Sequence, residues 1–198
     1  MDINILIDNE KLIVTEINTN YIAEKYKYKI ALIGGPSSGK SSYFYYLCKR
    51  KFRKLISIGE EYMRYKISIN NIINNISIIL ISINQTLYIP SYTKGADGII
   101  LLLDITSGNE IEKELTYYLQ ETRFFEYNDI PALLVANKID LDYDRKITKK
   151  EIEDFVKIYR EEGLIGYFEV SCKKGINVNK SFEFLIKHII ENKNNRND

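Results

Sequence analysis

A glycine-rich segment near the start of the chain has the residue types and spacing of a phosphate-binding loop. Residues 34–41 read GGPSSGKS, which matches the pattern G-x-x-x-x-G-K-S/T and follows directly after the apolar run 28–33. Glycines let the backbone curl so that successive N–H groups point at one anion, and the N-terminus of a following helix adds a positive dipole end. Lys40 supplies a point charge for the β- and γ-phosphates, and the Ser41 hydroxyl can ligate Mg²⁺.

This segment contributes the first group of expected nucleotide-binding residues. They are Gly34, Pro36, Ser37, Ser38, Gly39, Lys40, Ser41 and Ser42. The loop alone leaves open whether the nucleotide is ATP or GTP, and whether the protein is a kinase or a switch.

Two later polar segments indicate which base is read. Residues 137–140 (NKID) and 169–173 (EVSCK) each lie at the carboxyl end of a predicted strand. Doubly wound sheets bind their ligands at this end of the strands. The Asp140 carboxylate can accept two hydrogen bonds, from N1–H and the 2-amino group of guanine. Adenine offers no such pair of donors on that edge, so a desolvated carboxylate rejects it.

Short apolar runs predict the strands that position these segments. Buried strands are predicted at 28–33, 98–103, 132–136 and 167–170, and a hairpin at 63–69 and 76–83 around an Asn-rich turn at 70–75. Helices are predicted between them. They cover 40–50, a segment from a capping box at Ser107 and Glu110 to about 125, a segment from a capping box at Thr148 and Glu151 to Gly163, and 178–190.

The alternation of strands and helices predicts one three-layer α/β domain. Its sheet has six strands, mostly parallel, with helices on both faces. Residues 1–26 precede this domain, and their alternating Ile3, Ile5 and Ile7 are compatible with an extra β-hairpin or with a loosely attached tail. Residues 192–198 form a polar C-terminal tail.

The motifs, in this order, resemble those of the Ras superfamily of small GTPases, and of its Rab branch most. The resemblance covers roughly residues 27–190 and implies the G domain fold of the P-loop NTPases over residues 27–191. It implies that GTP or GDP is bound together with Mg²⁺. It also implies that Asp140 specifies guanine, that Asn137 ties the loops together and that the stem of Lys138 packs on the base.

The same resemblance aligns the second base-reading segment with the family's S-A-K turn. Ser171, Cys172 and Lys173 correspond to its three residues. Cysteine in place of alanine is a small change, because the contact in that family uses the backbone N–H.

Switch I of this family presents a threonine to Mg²⁺ and the γ-phosphate. Residues 56–59 (ISIG) resemble the Rab sequence S-T-I-G, with Ser57 in the position of the threonine. A serine hydroxyl can still ligate Mg²⁺, so Ser41 and Ser57 are the expected metal ligands. In this family an aromatic residue at a fixed distance after the phosphate-loop serine packs on guanine, and Phe52 lies at that distance in this sequence. The alternative for Phe52 is ordinary packing.

Switch II departs further from the family pattern D-x-x-G-Q, because residues 81–85 read ISINQ. Ile81 replaces the aspartate that holds the water shell of Mg²⁺. Asn84 replaces the glycine whose N–H meets the γ-phosphate, and it has less freedom to move between two states. Gln85 is retained where the family positions the attacking water. In the phosphate loop, Pro36 indicates either a rigid turn or altered hydrolysis.

The sequence therefore predicts a Rab-like small GTPase in which Gln85 and Lys40 are catalytic, with weakened Mg²⁺ binding and slow hydrolysis. Membrane trafficking follows only by analogy with the family. The alternative is a pseudo-GTPase, an interaction module that binds nucleotide without cycling. A P-loop kinase is disfavoured by residues 137–140, and the effector and regulator proteins are not specified by the sequence.

Composition restricts the remaining function classes. The net charge is +1 in 198 residues, which gives no case for nucleic-acid binding. Cys48 and Cys172 lack metal-ligand spacing and fit a reducing compartment, and His188 is expected to be an ordinary helix residue. The protein is expected to be cytoplasmic and to associate peripherally with endomembranes through partner proteins. No signal peptide, membrane-spanning run or prenylated C-terminal cysteine is seen, although a longer native C-terminus is an alternative.

Overall fold

One mixed β-sheet forms the centre of the protein. The structure is a computed structural model, which describes residues 3–8, 11–14, 24–49, 61–69, 72–80, 93–108, 110–122 and 130–195. The strands in these residues are β1 (Ile3–Asp8), β2 (Lys11–Val14), β3 (Glu24–Gly34), β4 (Glu61–Ile69), β5 (Ile72–Leu80), β6 (Gly98–Asp104), β7 (Ala132–Asn137) and β8 (Leu164–Val170).

Four α-helices connect or follow these strands in the described part of the chain. They are α1 (Lys40–Lys49), α2 (Ile111–Thr122), α3 (Lys149–Ile158) and α4 (Val178–Asn195), and a short 3₁₀ helix covers Ile139–Asp144. None of these helices is both long and apolar enough to cross a membrane.

The strand order in the sheet is β2-β1-β4-β5-β3-β6-β7-β8. Strands β5, β3, β6, β7 and β8 run parallel to their neighbours in this order, and β4 pairs antiparallel with β5. All residues of β6 and β7 are buried, as expected for parallel strands covered on both faces. The parallel arrangement brings the carboxyl ends of β3, β6, β7 and β8 to one edge of the sheet.

The core has two parts, one on each face of the sheet. On one face, α1 and α4 pack through residues such as Tyr43, Phe182 and Leu185. On the other face, α2 and α3 pack through residues such as Leu115, Leu119 and Phe155. The three layers and the helices on both faces agree with the predicted fold class.

The six strands β3–β8 agree with the six predicted for the sheet. β1 and β2 come from the segment for which a hairpin and a tail were the two alternatives, and they extend the sheet in the described residues to eight strands. β1 pairs antiparallel with β2 and runs parallel beside β4, so that Ile3 lies opposite Tyr65 and Leu6 opposite Ser68. An uncovered edge strand presents unpaired N–H and C=O groups, and β1 satisfies those of β4.

The turn of the hairpin predicted at 63–69 and 76–83 is shorter than expected. Ile69 pairs with Ile72, so only residues 70 and 71 separate the strands, and Asn74 and Asn75 lie within β5. Asn74 lies opposite Ile67 and Asn75 opposite Lys66, so the backbone ladder continues through both asparagines despite their low strand propensity. The predicted end of this strand at residue 83 lies outside the described residues.

Several helix and strand boundaries differ from the prediction. α2 begins at Ile111, four residues after Ser107, whose N–H donates to the Asp104 carbonyl in a turn. α4 continues to Asn195, and β8 begins at Leu164, three residues earlier than predicted.

The capping box at the start of α3 is confirmed. The Thr148 hydroxyl accepts from the Glu151 N–H at 3.2 Å, and the Glu151 carboxylate accepts from the Thr148 N–H at 2.7 Å. The Thr148 hydroxyl also donates to the Glu151 carboxylate at 2.6 Å, and this bond, followed by the one from the Thr148 N–H, lowers the pKa of Glu151. The cap fixes the start of a helix whose Ile152, Phe155 and Val156 enter the core.

We predict that Thr148→Ala destabilises the protein by about 1 kcal/mol, because the N-terminal N–H of α3 loses its side-chain acceptor. The midpoint of thermal unfolding should fall by about 2–4 °C in a domain of this size. Thr148→Ser retains the hydroxyl and is the matched control. Equal midpoints for the alanine variant and the unmodified protein would show that the capping box contributes nothing.

Candidate functional site

The loop between β3 and α1 is built around two glycines that no other residue could replace without strain. Gly34 has a φ of +149°, and a Cβ there would lie 2.1 Å from the Leu102 carbonyl oxygen. Gly39 has a φ of +97°, and a Cβ there would lie 2.1 Å from Nδ2 of Asn137. The first glycine lets the loop leave the sheet against β6, and the second lets Asn137 approach the backbone.

Lys40 lies at the start of α1 and is folded back onto this loop. Its ammonium donates to the carbonyls of Gly34 at 2.7 Å and Gly35 at 2.8 Å, and the residue is buried. A positive charge is thus fixed beside the loop backbone. The Ser38 hydroxyl is buried there without a hydrogen-bond partner among the described residues.

Asn137, the last residue of β7, joins the phosphate loop to the second base-reading segment. Its Nδ2 donates to the Ser38 carbonyl at 2.9 Å, and its Oδ1 accepts from the Cys172 N–H at 3.1 Å. The side chain is buried, so both bonds are shielded from water. The N–H that the resemblance assigns to the nucleotide is therefore engaged by Asn137.

Asp140 lies where the two base-reading segments meet. Its side chain is only 6% exposed, its Oδ1 accepts from the Ser171 hydroxyl at 2.6 Å, and its Oδ2 lies 4.0 Å from Nζ of Lys173. The Ser171 hydroxyl in turn accepts from the Lys174 N–H at 3.0 Å. A buried carboxylate is thus held in one orientation at the carboxyl edge of the sheet.

Lys138 has a left-handed backbone conformation, with φ of +75°, and its ammonium forms an ion pair of 2.5 Å with Asp104. Asp104 is the last residue of β6, and its other oxygen accepts from the N–H and hydroxyl of Thr106 at 2.9 and 2.7 Å. Asp104 lies opposite Asn137 in the sheet register, so it is adjacent to Lys138. The carboxylate therefore fixes the direction of the lysine stem.

The comparison with known proteins agrees with this arrangement. Residues 29–191 match the model of the Ras family. The chain belongs to the Ras family. It is similar to the Ras-related protein Rab-11C of Dictyostelium discoideum, with 30% identity over 181 residues, covering 85% of this chain and 76% of that protein.

Two further relatives have a similar degree of identity. The Ras-related protein Rab-32A of Dictyostelium discoideum is 30% identical over 197 residues, covering 87% of this chain and 82% of its own length. The Ras-related protein RABC1 of Arabidopsis thaliana is 30% identical over 179 residues, covering 84% and 78%. The protein is therefore a divergent, Rab-like member of a family of small GTPases.

The structure brings together the predicted residues of the phosphate loop and of the two base-reading segments of this Ras family member. Pro36 and Ser37 lie exposed in the loop, Ser41 and Ser42 are half-buried in the first turn of α1, and Ser171 and Cys172 are buried beside Asn137. The predicted residues in the switch segments lie outside the described residues. These are Phe52, Ser57, Ile81, Asn84 and Gln85.

Sequence reasoning missed Asp104 and Arg145. Arg145 lies after the first base-reading segment, and its guanidinium donates to the carboxylate of Glu169 at 2.7 Å. Glu169 is the first residue of the second base-reading segment. Lys149 lies 3.2 Å from the other oxygen of Glu169. For Asp104 the sequence did carry a signal, because this aspartate ends an otherwise apolar strand at the edge where the other functional residues lie. In the described residues no cluster of three or more His, Cys, Asp or Glu could hold a metal ion.

The Cys172 thiol is unreactive by its position. The residue is buried, and burial raises the pKa of this thiol to about 12, with the charge of nearby Asp140 acting in the same direction. The thiolate is the nucleophilic form of cysteine, so a raised pKa lowers reactivity at a given pH.

We predict that Cys172 is not alkylated by iodoacetamide at pH 8 while the protein is folded. Relative to an ordinary thiol of pKa 9.0, its thiolate fraction is lower by about a thousandfold. Peptide mass spectrometry distinguishes Cys172 from Cys48, and protein unfolded in urea is the positive control. Labelling of Cys172 at equal rates in folded and unfolded protein would contradict the prediction.

Proposed function

We propose that this protein binds GTP or GDP together with Mg²⁺ at the carboxyl edge of its sheet. The observation that carries the proposal is the buried Asp140 carboxylate, which is connected through Ser171, Cys172 and Asn137 to the glycine-rich loop. A ligand with a guanine at one end and phosphates at the other matches this arrangement of acceptors and donors. Asp140 accepts from guanine, and the loop receives the phosphates.

At the phosphate end, the residues fit a polyphosphate. Gly34 and Gly39 have the positive φ values that curl the backbone, and Lys40 places its ammonium against the same loop. The hydroxyl of Ser41, in the first turn of α1, would be one oxygen ligand of Mg²⁺. Ser57 is the second proposed ligand, assigned from the sequence.

At the base end, the charge of Asp140 is fixed before the nucleotide arrives. Ser171 holds Oδ1, and the ion pair with Asp104 directs the stem of Lys138. A carboxylate oriented in this way loses little conformational freedom on binding, which favours affinity. The remaining acceptor positions of the carboxylate match the N1–H and 2-amino donors of guanine.

We predict that Asp140→Asn exchanges guanine for xanthine specificity. The asparagine amide opposes the 2-amino donor of guanine with another donor, and affinity for GDP should fall at least about hundredfold. Xanthine has an acceptor at that position, so xanthosine diphosphate should be bound in preference. Titration of both nucleotides, monitored by calorimetry, measures the change.

A second variant provides the control for this experiment, and two outcomes would contradict the proposal. Asp154→Asn removes an exposed carboxylate in α3, outside the two base-reading segments, and it should leave GDP binding unchanged. Retention of full GDP affinity by Asp140→Asn would remove the basis for guanine recognition. Binding of ATP in preference to GTP by the unmodified protein would instead favour a P-loop kinase.

We propose further that GTP hydrolysis is slow. Gln85 orients the attacking water and Lys40 stabilises the charge of the transferred phosphoryl group, with contacts to the γ-phosphate from Ser57 and the Asn84 amide. Ile81 cannot hold the water shell of Mg²⁺, so metal binding is weakened and switch II is coupled less to the nucleotide state. The pseudo-GTPase is the second candidate, because Ile81 and Asn84 both depart from the family pattern.

We predict that Ile81→Asp lowers the Mg²⁺ concentration needed to retain nucleotide by about tenfold to hundredfold. A hydrogen bond to a charged group is worth about 1.5–3 kcal/mol, which corresponds to that range. Ile81→Asn, of similar size to aspartate but uncharged, is the matched control. Release of a fluorescent GDP analogue at buffered Mg²⁺ concentrations measures the effect.

Single-turnover hydrolysis by GTP-loaded protein, with Mg²⁺ and with EDTA, distinguishes the two candidates. Slow conversion to GDP that requires Mg²⁺ and is abolished by Gln85→Leu supports the GTPase. GTP that remains unchanged for hours supports the pseudo-GTPase. Rapid turnover in the unmodified protein, or no effect of Ile81→Asp on the Mg²⁺ requirement, would contradict the role assigned to Ile81.

The cellular setting is proposed by family analogy alone. Similarity to Rab proteins supports a role in membrane trafficking, at the cytoplasmic side of endomembranes and through partner proteins. Effectors and regulators would recognise the switch segments. The net charge of +1 gives no support for nucleic acid as a partner.

A further inference from the structure

Tyr43 connects the phosphate-binding helix to the opposite end of the functional site. It lies in the first turn of α1, three residues after Lys40, and its N–H donates to the Gly39 carbonyl at 2.8 Å. Its side chain is fully buried between α1 and α4. A fully buried tyrosine needs a partner for its hydroxyl, and the partner here determines what the residue can do.

The Tyr43 hydroxyl reaches the start of α4. It lies 2.8 Å from the Ser181 hydroxyl and 3.3 Å from the Val178 carbonyl oxygen. Ser181 also donates to the Val178 carbonyl, at 2.8 Å. Val178 is the first residue of α4 and directly follows residues 171–177, which we name the base loop because they begin with Ser171 and Cys172.

Tyr46, one turn further along α1, contacts the middle of the base loop. Gly175 has a φ of +71°, and a Cβ there would lie 2.1 Å from the Tyr46 hydroxyl oxygen and 2.5 Å from the adjacent ring carbon. The ring therefore lies directly against the glycine. The loop is closed beside it by paired hydrogen bonds between Ser171 and Ile176, at 3.1 and 3.0 Å.

We propose that Tyr43 and Tyr46 are positioning residues that hold the base loop against the phosphate-binding helix and thereby slow nucleotide release. The inference rests on the proposed binding of guanine nucleotide at this site. One tyrosine holds the end of the loop by hydrogen bonds, and the other holds its middle by packing. The helix that begins at the phosphates thus also fixes the residues that surround Asp140.

Release of a bound nucleotide requires the base loop to move away from the base. A loop held at two points opens less often, and the rate of release falls with the population of the open form. Removing the Tyr43 hydroxyl weakens one attachment. It leaves no buried donor unpaired, because the Ser181 hydroxyl still donates to the Val178 carbonyl. Tyr43→Phe therefore tests the attachment with little other disturbance.

The other face of the sheet provides a matched control. There the Tyr159 hydroxyl lies 2.8 Å from the hydroxyl of Thr116, in a pair that joins α2 to the end of α3. Tyr159 packs against the second part of the core, away from the base loop. Tyr159→Phe removes a comparable hydrogen bond and should lower stability without changing nucleotide release.

The experiment compares the full chain with the variants Tyr43→Phe, Ser181→Ala, their combination, and Tyr159→Phe. Each protein is loaded with a fluorescent GDP analogue, and its release into excess GDP is followed with Mg²⁺ and with EDTA. Tyr43→Phe and Ser181→Ala should each accelerate release about twofold to tenfold, as expected for one buried hydrogen bond. The double variant should release no faster than Tyr43→Phe alone, because that variant already removes both the contact with Ser181 and the hydrogen bond to the Val178 carbonyl.

The acceleration should be the same with Mg²⁺ and with EDTA, because the contact acts on the base loop and not on the metal. Unfolding in urea, measured for every variant, reports any general loss of stability. Unchanged release by Tyr43→Phe, equal acceleration by Tyr159→Phe, or additive effects in the double variant would overturn the proposal. If Tyr43→Phe fails to fold, Ser181→Ala against Tyr159→Phe decides the same question.

The two proposals fail in different ways. If the unmodified protein retains no guanine nucleotide, the proposed function is wrong, and the role of the two tyrosines is wrong with it. If the unmodified protein retains GDP and the Tyr43 and Ser181 variants release it at the same rate, only the positioning role is wrong.

Discussion

The amide of Asn137 is the contact on which the functional site depends. One side chain, at the end of a fully buried strand, donates to the phosphate loop at Ser38 and accepts from the base loop at Cys172. The two loops are separated by more than a hundred residues in the chain, and neither belongs to a regular element. Gly39 is required because any side chain there would occupy the position of the Asn137 amide nitrogen. The site is thus one hydrogen-bonded unit and not a set of independent loops.

The sheet makes this unit possible because its parallel register aligns strand ends. Asp104 and Asn137 are paired across β6 and β7, so the residue after Asn137 lies within reach of the Asp104 carboxylate. The strands themselves are apolar and buried on both faces, which leaves polar chemistry only to the residues that end them. The core on either side therefore supports the strand ends, and the helices α1 and α4 connect the phosphate and base loops from one of those faces.

Much of this arrangement could be predicted from the sequence, because the glycine-rich loop, the base-reading segments and the apolar strands each carry a local pattern. The sequence leaves a structural feature open, or predicts it wrongly, where that feature depends on pairing between distant residues. β1 and β2, for which a hairpin and a tail were both compatible with the sequence, join the edge of the sheet, and Asn74 and Asn75 lie in a strand where a turn was predicted. Asp104 ends an apolar strand in the sequence, but its ion pair with Lys138 follows from the register of β6 with β7.

The departures from the family pattern that concern the metal and the γ-phosphate, Ile81 and Asn84, fall in a different segment of the sequence from the unit around Asn137, where cysteine at position 172 replaces alanine. The residues that surround Asp140 and Lys40 are those that we propose to bind guanine nucleotide. Affinity and turnover draw on different groups, because binding uses contacts present in the ground state and hydrolysis needs additional contacts in the transition state. A chain that keeps the first set and alters the second can retain nucleotide while cycling slowly. With the proposed role of Tyr43 and Tyr46, the length of time for which nucleotide stays bound would depend on the base loop as well as on the metal.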